Sequence, residues 1–309
     1  MTDQARSGWW SVARSEEVMG RTPLGVDIGD QPVVLWRDDQ GIVRALEDRC
    51  PHRRVPLSMG CVRDNGWLQC GYHGWSFDGA SGQLMDIPHL KDNRRFPPLY
   101  RASRFAVAES DGFVRVSLAA EAPAPARGEL PPLPLAGTVH VTLDHRQYLA
   151  ALMDEPGLLI RIRNVRFTPY PLLDPAIDGD HIVMERACQW AFTHWPAAFS
   201  HDFPITLLSR THALTGESDL SLRDADMNVL LRIILAPVPA ARGITAIRWR
   251  AGLGDRRPGL RARLLGLGVP LRVHTNIDAA ALRRLPASAS QHGDQLRARL
   301  LDAAASAAA

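Results

Sequence analysis

The sequence predicts an α+β chain: an all-β unit first, then an antiparallel sheet with helices packed on it. Three observations predict this. The first part carries many short apolar runs with turn residues at close intervals, as an all-β unit requires. A stretch rich in Ala, Pro and Glu, residues 119–135, then breaks the pattern. Beyond it, long apolar runs are accompanied by helical ones, which is the layer arrangement of a sheet covered by helices.

Taken in order, Trp9, Trp10 and Val12 open a short apolar stretch, and Ser15-Glu16-Glu17 makes a brief helical turn. Residues 32–36 and 42–46 are strand-like and join across Asp38-Asp39-Gln40-Gly41 as a hairpin turn. Residues 75–78 and 83–87 flank a turn between Gly79 and Gly82, and residues 113–118 close the unit with clean alternation. Pro123, Pro125, Pro131, Pro132 and Pro134 make residues 121–135 an extended linker. The domains therefore read 1–120 and 136–309.

The second domain starts with helical character from Leu143 to Asp154, broken at Pro156-Gly157. Strand-like runs follow at 181–192, 205–214, 229–236 and 244–249, the last two separated by a turn from Pro237 to Gly243. Residues 259–265, 277–285 and 294–305 are helical, and the terminal alanine-rich run is a fraying helix end.

A chain of 309 residues suits two modest domains. A net charge of +3 without any block of like charge gives no footing for nucleic acid. Lys91 is the only lysine, so the arginines reflect composition rather than a binding surface. Met1 to Trp10 has no apolar leader core and no run approaches a membrane span, so a cytoplasmic protein is expected. Of the four cysteines, Cys61 and Cys188 are expected as buried thiols in a reducing compartment.

The chemistry is concentrated between Cys50 and His73. Cys50-Pro51-His52 and Cys70-Gly71-Tyr72-His73 offer one thiolate and one imidazole from each of two tight loops. A structural zinc site usually takes both cysteines from one knuckle and both histidines from a helix turn. Neither half here is helical. The pattern points instead to a [2Fe-2S] cluster with Cys50, His52, Cys70 and His73 as its ligands, each loop giving one ligand to each iron.

The stretch Leu46-Glu47-Asp48-Arg49-Cys50-Pro51-His52-Arg53, with Cys70-Gly71-Tyr72-His73-Gly74-Trp75, resembles the oxygenase component of Rieske non-haem iron oxygenases. Within that family the likeness is to the vanillate-demethylase and dicamba-monooxygenase branch, and it runs from Trp9 to about Leu118. The family usually has Pro where this chain has Gly71. The resemblance implies an all-β Rieske domain followed by a helix-grip catalytic domain. It also implies a mononuclear Fe(II) held by two histidines and a carboxylate, written Asn-x-x-Asp-x-x-His-x-x-x-x-His with the last carboxylate far downstream.

Anchored on Tyr148 to Asp154, that motif places its Asp on Asp154, the residue through which a neighbouring cluster would hand over its electron. Its Asn falls on Ala151 and its histidines on Gly157 and Ile162, none of which binds iron. His140 and His145 repeat the histidine spacing, but Gly137 stands where the Asp should be. His194 and His201 flank Pro196, and His181, His212, His274 and His292 show no partner pattern. Asp278 sits where the family places its third ligand, although an acidic residue in a first helical turn is stabilised there anyway.

An intact cluster without an iron triad implies an electron-transfer or structural subunit of a hetero-oligomeric oxygenase. In that reading an NAD(P)H-dependent reductase or ferredoxin supplies electrons, a partner subunit keeps an intact iron site, and the assembly is a ring of three. The reaction served is O₂-dependent hydroxylation or demethylation of an organic, aromatic substrate. Two alternatives stand beside it. One is a complete oxygenase with unusual ligands drawn from His140, His145 or Asp278; the other is a non-enzymatic redox carrier or sensor.

Overall fold

A computed structural model describes residues 8–90, 96–125, 132–162, 165–190, 205–240, 243–254 and 272–273. The expected helices at 259–265, 277–285 and 294–305, the terminal alanine run, His194, His201, His274, Asp278 and His292 lie outside these residues. The chain divides into two compact units, Met1–Gly128 with Val238–Ala241 and Glu129–Pro237 with Arg242–Ala309. No helix among the described residues is long and apolar enough to cross a membrane.

The first unit carries β1 (Trp9–Arg14), β2 (Leu24–Ile28), β3 (Gln31–Arg37), β4 (Val43–Glu47) and β5 (Cys61–Val62). Then come β6 (Leu68–Gln69), β7 (Ser76–Phe77), β8 (Leu84–Asp86), β9 (Ala106–Ser110) and β10 (Phe113–Ser117). They form three antiparallel sheets, β1-β10-β9, β2-β3-β4 and β5-β6-β7-β8. The middle sheet is buried on both faces, and side-chain alternation explains how. Val33 and Leu35 pack with Trp10, Val12, Val114 and Val116, while Val34, Trp36 and Leu46 pack with Leu57, Leu68, Phe77, Cys50 and Cys70. Two cysteines of the motif are thus part of the second of these cores.

In the second unit the strands are β11 (Leu135–Val141), β12 (Ile160–Arg161), β13 (Val165–Pro171), β14 (Ala176–Asp178) and β15 (His181–Trp190). These are followed by β16 (Ile205–His212), β17 (Ser218–Arg223), β18 (Val229–Ala240, whose end from Val238 on belongs to the first unit), β19 (Ile244–Leu253) and β20 (Arg272–Val273). The large sheet runs β11-β19-β18-β17-β16-β15-β13, with β14 on β15 and a separate pair β12-β20. Among the described residues one α-helix, α1 (His145–Asp154), covers it.

Asp144 caps α1 by accepting from the Gln147 amide, and the Gln147 side chain accepts from the Asp144 amide in return. Tyr148, Leu149, Ala151 and Leu152 make one apolar face that joins Ile162, Leu207, Leu222, Ile233 and Ile247 in the core. At the other end, buried Arg186 donates to Met153 O and Thr168 O, placing a cation where the helix dipole is negative.

Two expectations need correction. Pro237 to Gly243 is not simply a turn: β18 continues through Pro237 and Pro239 to Ala240. Its pairing with β17 ends at Leu235, so the prolines lie past the last partner on that side, where a missing N–H costs no ladder bond. Cys61 is exposed rather than buried, because Val62 takes the inward face of the two-residue strand β5. Cys188 is buried as expected, and that burial pushes its thiol up to about 12.

Candidate metal centre

Both ligand loops are built by the same turn. Cys50 N donates to Val55 O at 2.8 Å and Arg54 N to Cys50 O at 2.7 Å. In the second loop Cys70 N donates to Trp75 O at 2.8 Å and Gly74 N to Cys70 O at 3.0 Å. The fourth residue after each cysteine adopts positive φ, +72° at Gly74 and +59° at Arg54. Only glycine takes that conformation without strain.

The two loops touch backbone to backbone. A Cβ on Gly60 would stand 1.9 Å from Gln69 O, and one on Gly71 would stand 2.7 Å from Met59 O. Proline at position 71 would carry such a carbon, so the glycine found here follows from this close approach. Asp48 anchors the start of the first loop by accepting from Ser58 N and Ser58 Oγ at 2.7 and 2.6 Å.

These turns sort the donors by type. Cys50 and Cys70 are 1% and 2% exposed and lie side by side in the apolar core, whereas His52 and His73 are exposed. The two imidazole centroids are 4.6 Å apart. Trp75 stacks on His52 at 4.5 Å with ring planes 3° apart, and Tyr72 lies against His73 at 4.0 Å. Burial pushes the Cys50 thiol up to about 11, with Cys70 beside it adding to the shift and the His52 and Arg53 amides opposing it. His52 is lowered by local desolvation, then by His73 and Arg53.

The chemistry of this set fits a two-iron cluster better than a single ion. Among the described residues no three His, Cys, Asp or Glu side chains converge on one metal position, which a tetrahedral zinc site would require. Two thiols on one side and two imidazoles on the other could serve one iron each. The structure brings together the residues that the sequence pattern singled out, Cys50 with Cys70 and His52 with His73; the pattern gave no sign of Trp75 as a neighbour of His52, since the stack joins different loops.

The residues aligned with a second iron site do not gather. Ala151 and Ile162 are buried in the apolar core, and Gly157 is exposed. Asp154 is the last residue of α1. His140 is exposed on β11 and His145 is the first residue of α1. In contrast, His181 and His212 do meet, as cross-strand partners of β15 and β16 with ring centroids 5.3 Å apart. Nothing in their sequence spacing signalled it.

Residues 8–97 match the family described as the Rieske [2Fe-2S] domain. The oxygenase component of dicamba O-demethylase from Stenotrophomonas maltophilia is 43% identical over 109 residues, 35% of this chain and 31% of that protein. Chloroplastic protein TIC 55 of Arabidopsis thaliana is 36% identical over 115 residues, 37% of this chain and 21% of that protein. In sequence, then, the chain spans only about a fifth to a third of these relatives. In fold the likeness is longer: the crystal structure of dicamba monooxygenase bound to dicamba covers 97% of this chain and 99% of that one, with a TM-score of 0.65 and 20% identity. The first unit therefore carries a Rieske [2Fe-2S] domain. The chain as a whole has the fold of the Rieske non-haem iron oxygenases, in the form seen in dicamba monooxygenase.

Proposed function

We propose that this chain is the electron-relaying component of a Rieske-type oxygenase, with Cys50 and Cys70 on one iron of a [2Fe-2S] cluster and His52 and His73 on the other. The observation that carries the reading is the segregation of donors, thiols buried together and imidazoles exposed together. Bound there, the cluster would supply one-electron transfer at a potential of roughly −150 to +300 mV, raised by its imidazole ligands. The Cys50 thiol, held up by burial, and the Cys70 thiol beside it would lose their protons on taking the metal. The His52 and Arg53 amides aimed at the Cys50 sulfur stabilise the resulting negative charge. His52 and His73 keep their edges at the surface, beside exposed Arg53, where a redox partner can approach.

The second domain, residues 136–309 behind the 121–135 linker, is proposed as a catalytic-type domain that has lost its iron. Ala151, Gly157 and Ile162 give no donors for a mononuclear Fe(II). Electrons from an NAD(P)H-dependent reductase or ferredoxin are passed on, with Asp154 as the bridge, to a partner subunit in a ring of three. There they support O₂-dependent hydroxylation or demethylation of an aromatic substrate. The reaction belongs in the cytoplasm.

Iron and acid-labile sulfide, measured per chain on anaerobically purified protein, test both halves of this reading. About two of each are expected. A third iron would overturn the loss of the second site, and iron without sulfide would overturn the cluster. Cys70→Ser is expected to abolish the visible absorption; colour that survived it would refute the ligand assignment.

A further inference from the structure

We propose that Trp75 is a positioning residue for His52: the indole of the second ligand loop fixes the plane of the imidazole that the first loop offers to the metal. The inference rests on the cluster reading above and goes beyond its four ligands. The two rings are 3° from parallel at 4.5 Å, although they belong to different loops. The backbone of Trp75 is fixed by its own loop, since its carbonyl accepts from Cys70 N at 2.8 Å. Behind the indole, Tyr100 meets it edge-on at 5.3 Å and 84°. The stack is therefore held from two directions while it holds His52. Among the described residues His73 has no parallel partner of this kind: its ring meets His52 at 59° and Tyr72 at 37°.

One imidazole has a face covered by a parallel ring, and the other is met only by tilted rings. Ring orientation and solvent access at a ligand both tune a metal centre. A cluster with two thiolates and two neutral imidazoles is more negative when reduced than when oxidised. Water that reached the bared face of His52 would favour the reduced form and raise the potential.

Trp75→Leu and Trp75→Phe in the full chain, loaded with cluster, test this by electron paramagnetic resonance and potentiometric titration of the reduced centre. Trp75→Leu is expected to displace and broaden the g-values and to raise the midpoint potential. Trp75→Phe keeps a stacking ring and is expected to fall between it and the wild type. If Trp75→Leu lowers only thermal stability, with g-values and potential unchanged, Trp75 is a packing residue and the proposal fails. Should Trp75→Leu hold no iron, Trp75→Phe decides alone, an unchanged spectrum and potential overturning the proposal. A wild-type protein without sulfide or visible colour would instead overturn the cluster reading itself.

Discussion

Arg54 occupies a backbone conformation that its counterpart in the second loop fills with glycine. A left-handed conformation costs a residue with a Cβ roughly 1–2 kcal/mol. In return the side chain makes an exposed ion pair with Glu47 at 3.0 Å, and such pairs contribute about 0–1 kcal/mol. The strain outweighs the pair, so Arg54→Gly is expected to raise the thermal midpoint of the first unit by a few degrees, followed by the cluster's visible absorption. Gly74→Ala is expected to do the opposite and more strongly, because its Cβ would both sit at φ +72° and stand 2.5 Å from Pro88 Cγ. The four donors were legible in the sequence because metal chemistry restricts residue type and local spacing. Trp75 was legible only as a member of the motif. Its work on His52 depends on how two loops meet, and that is set by Gly60 and Gly71, whose importance lies in an absent side chain.

At the level of elements, β15 and β16 bring together two histidines that spacing alone left unrelated. His181 faces His212, Arg210, Asp180 and Asp178, while His212 has Asp180 and Glu217 near it. Burial lowers both below the ordinary value of 6.5, and their mutual repulsion lowers His181 further. His212 Nδ1 lies 3.2 Å from the Thr215 amide and accepts from it, bracing the turn between β16 and β17. A base with a depressed folded pKa binds fewer protons folded than unfolded, so stability falls as pH drops through the unfolded value near 6.5. Acidification from about pH 7.5 to about 5.5 is expected to lower the melting temperature of the second unit. His181→Asn should flatten that dependence; a slope unchanged by the substitution would assign it to other groups. The same region shows why element reading was uneven. Long runs such as β18 and β19 were visible, whereas β17, with Ser218, Asp219 and Ser221 among its six residues, offered too few apolar positions. β11 was hidden by Gly137, which faces the Trp249 ring at a distance that leaves no room for a Cβ. The start of α1 was within reach, since Asp144 and Gln147 stand at the spacing of a capping box.

For the whole molecule, the two units have separate cores with different dependence on metal. Cys50 and Cys70 are members of a core shared with Trp36, Leu57, Leu68 and Phe77, so the thiols proposed as ligands and the apolar packing of the first unit are one structure. The main core of the second unit, around Tyr148, Leu152, Ile233 and Ile247, contains no residue of the ligand loops. Metal that binds only the folded form adds its binding free energy to stability, and a chain of two cooperative units need not melt in one step. Calorimetry of the loaded protein is therefore expected to show two transitions. Removing the iron with a chelator under reducing conditions should lower the first and leave the second in place. Since burial pushes the Cys50 thiol up to about 11, it would then be neutral at ordinary pH, so the iron-free loop stays compatible with the core and the first unit loosens rather than collapses. A single transition that moved as a whole on iron removal would show that the second unit depends on the cluster for its own stability. In that case the chain would be one cooperative body, with the metal at the root of both halves.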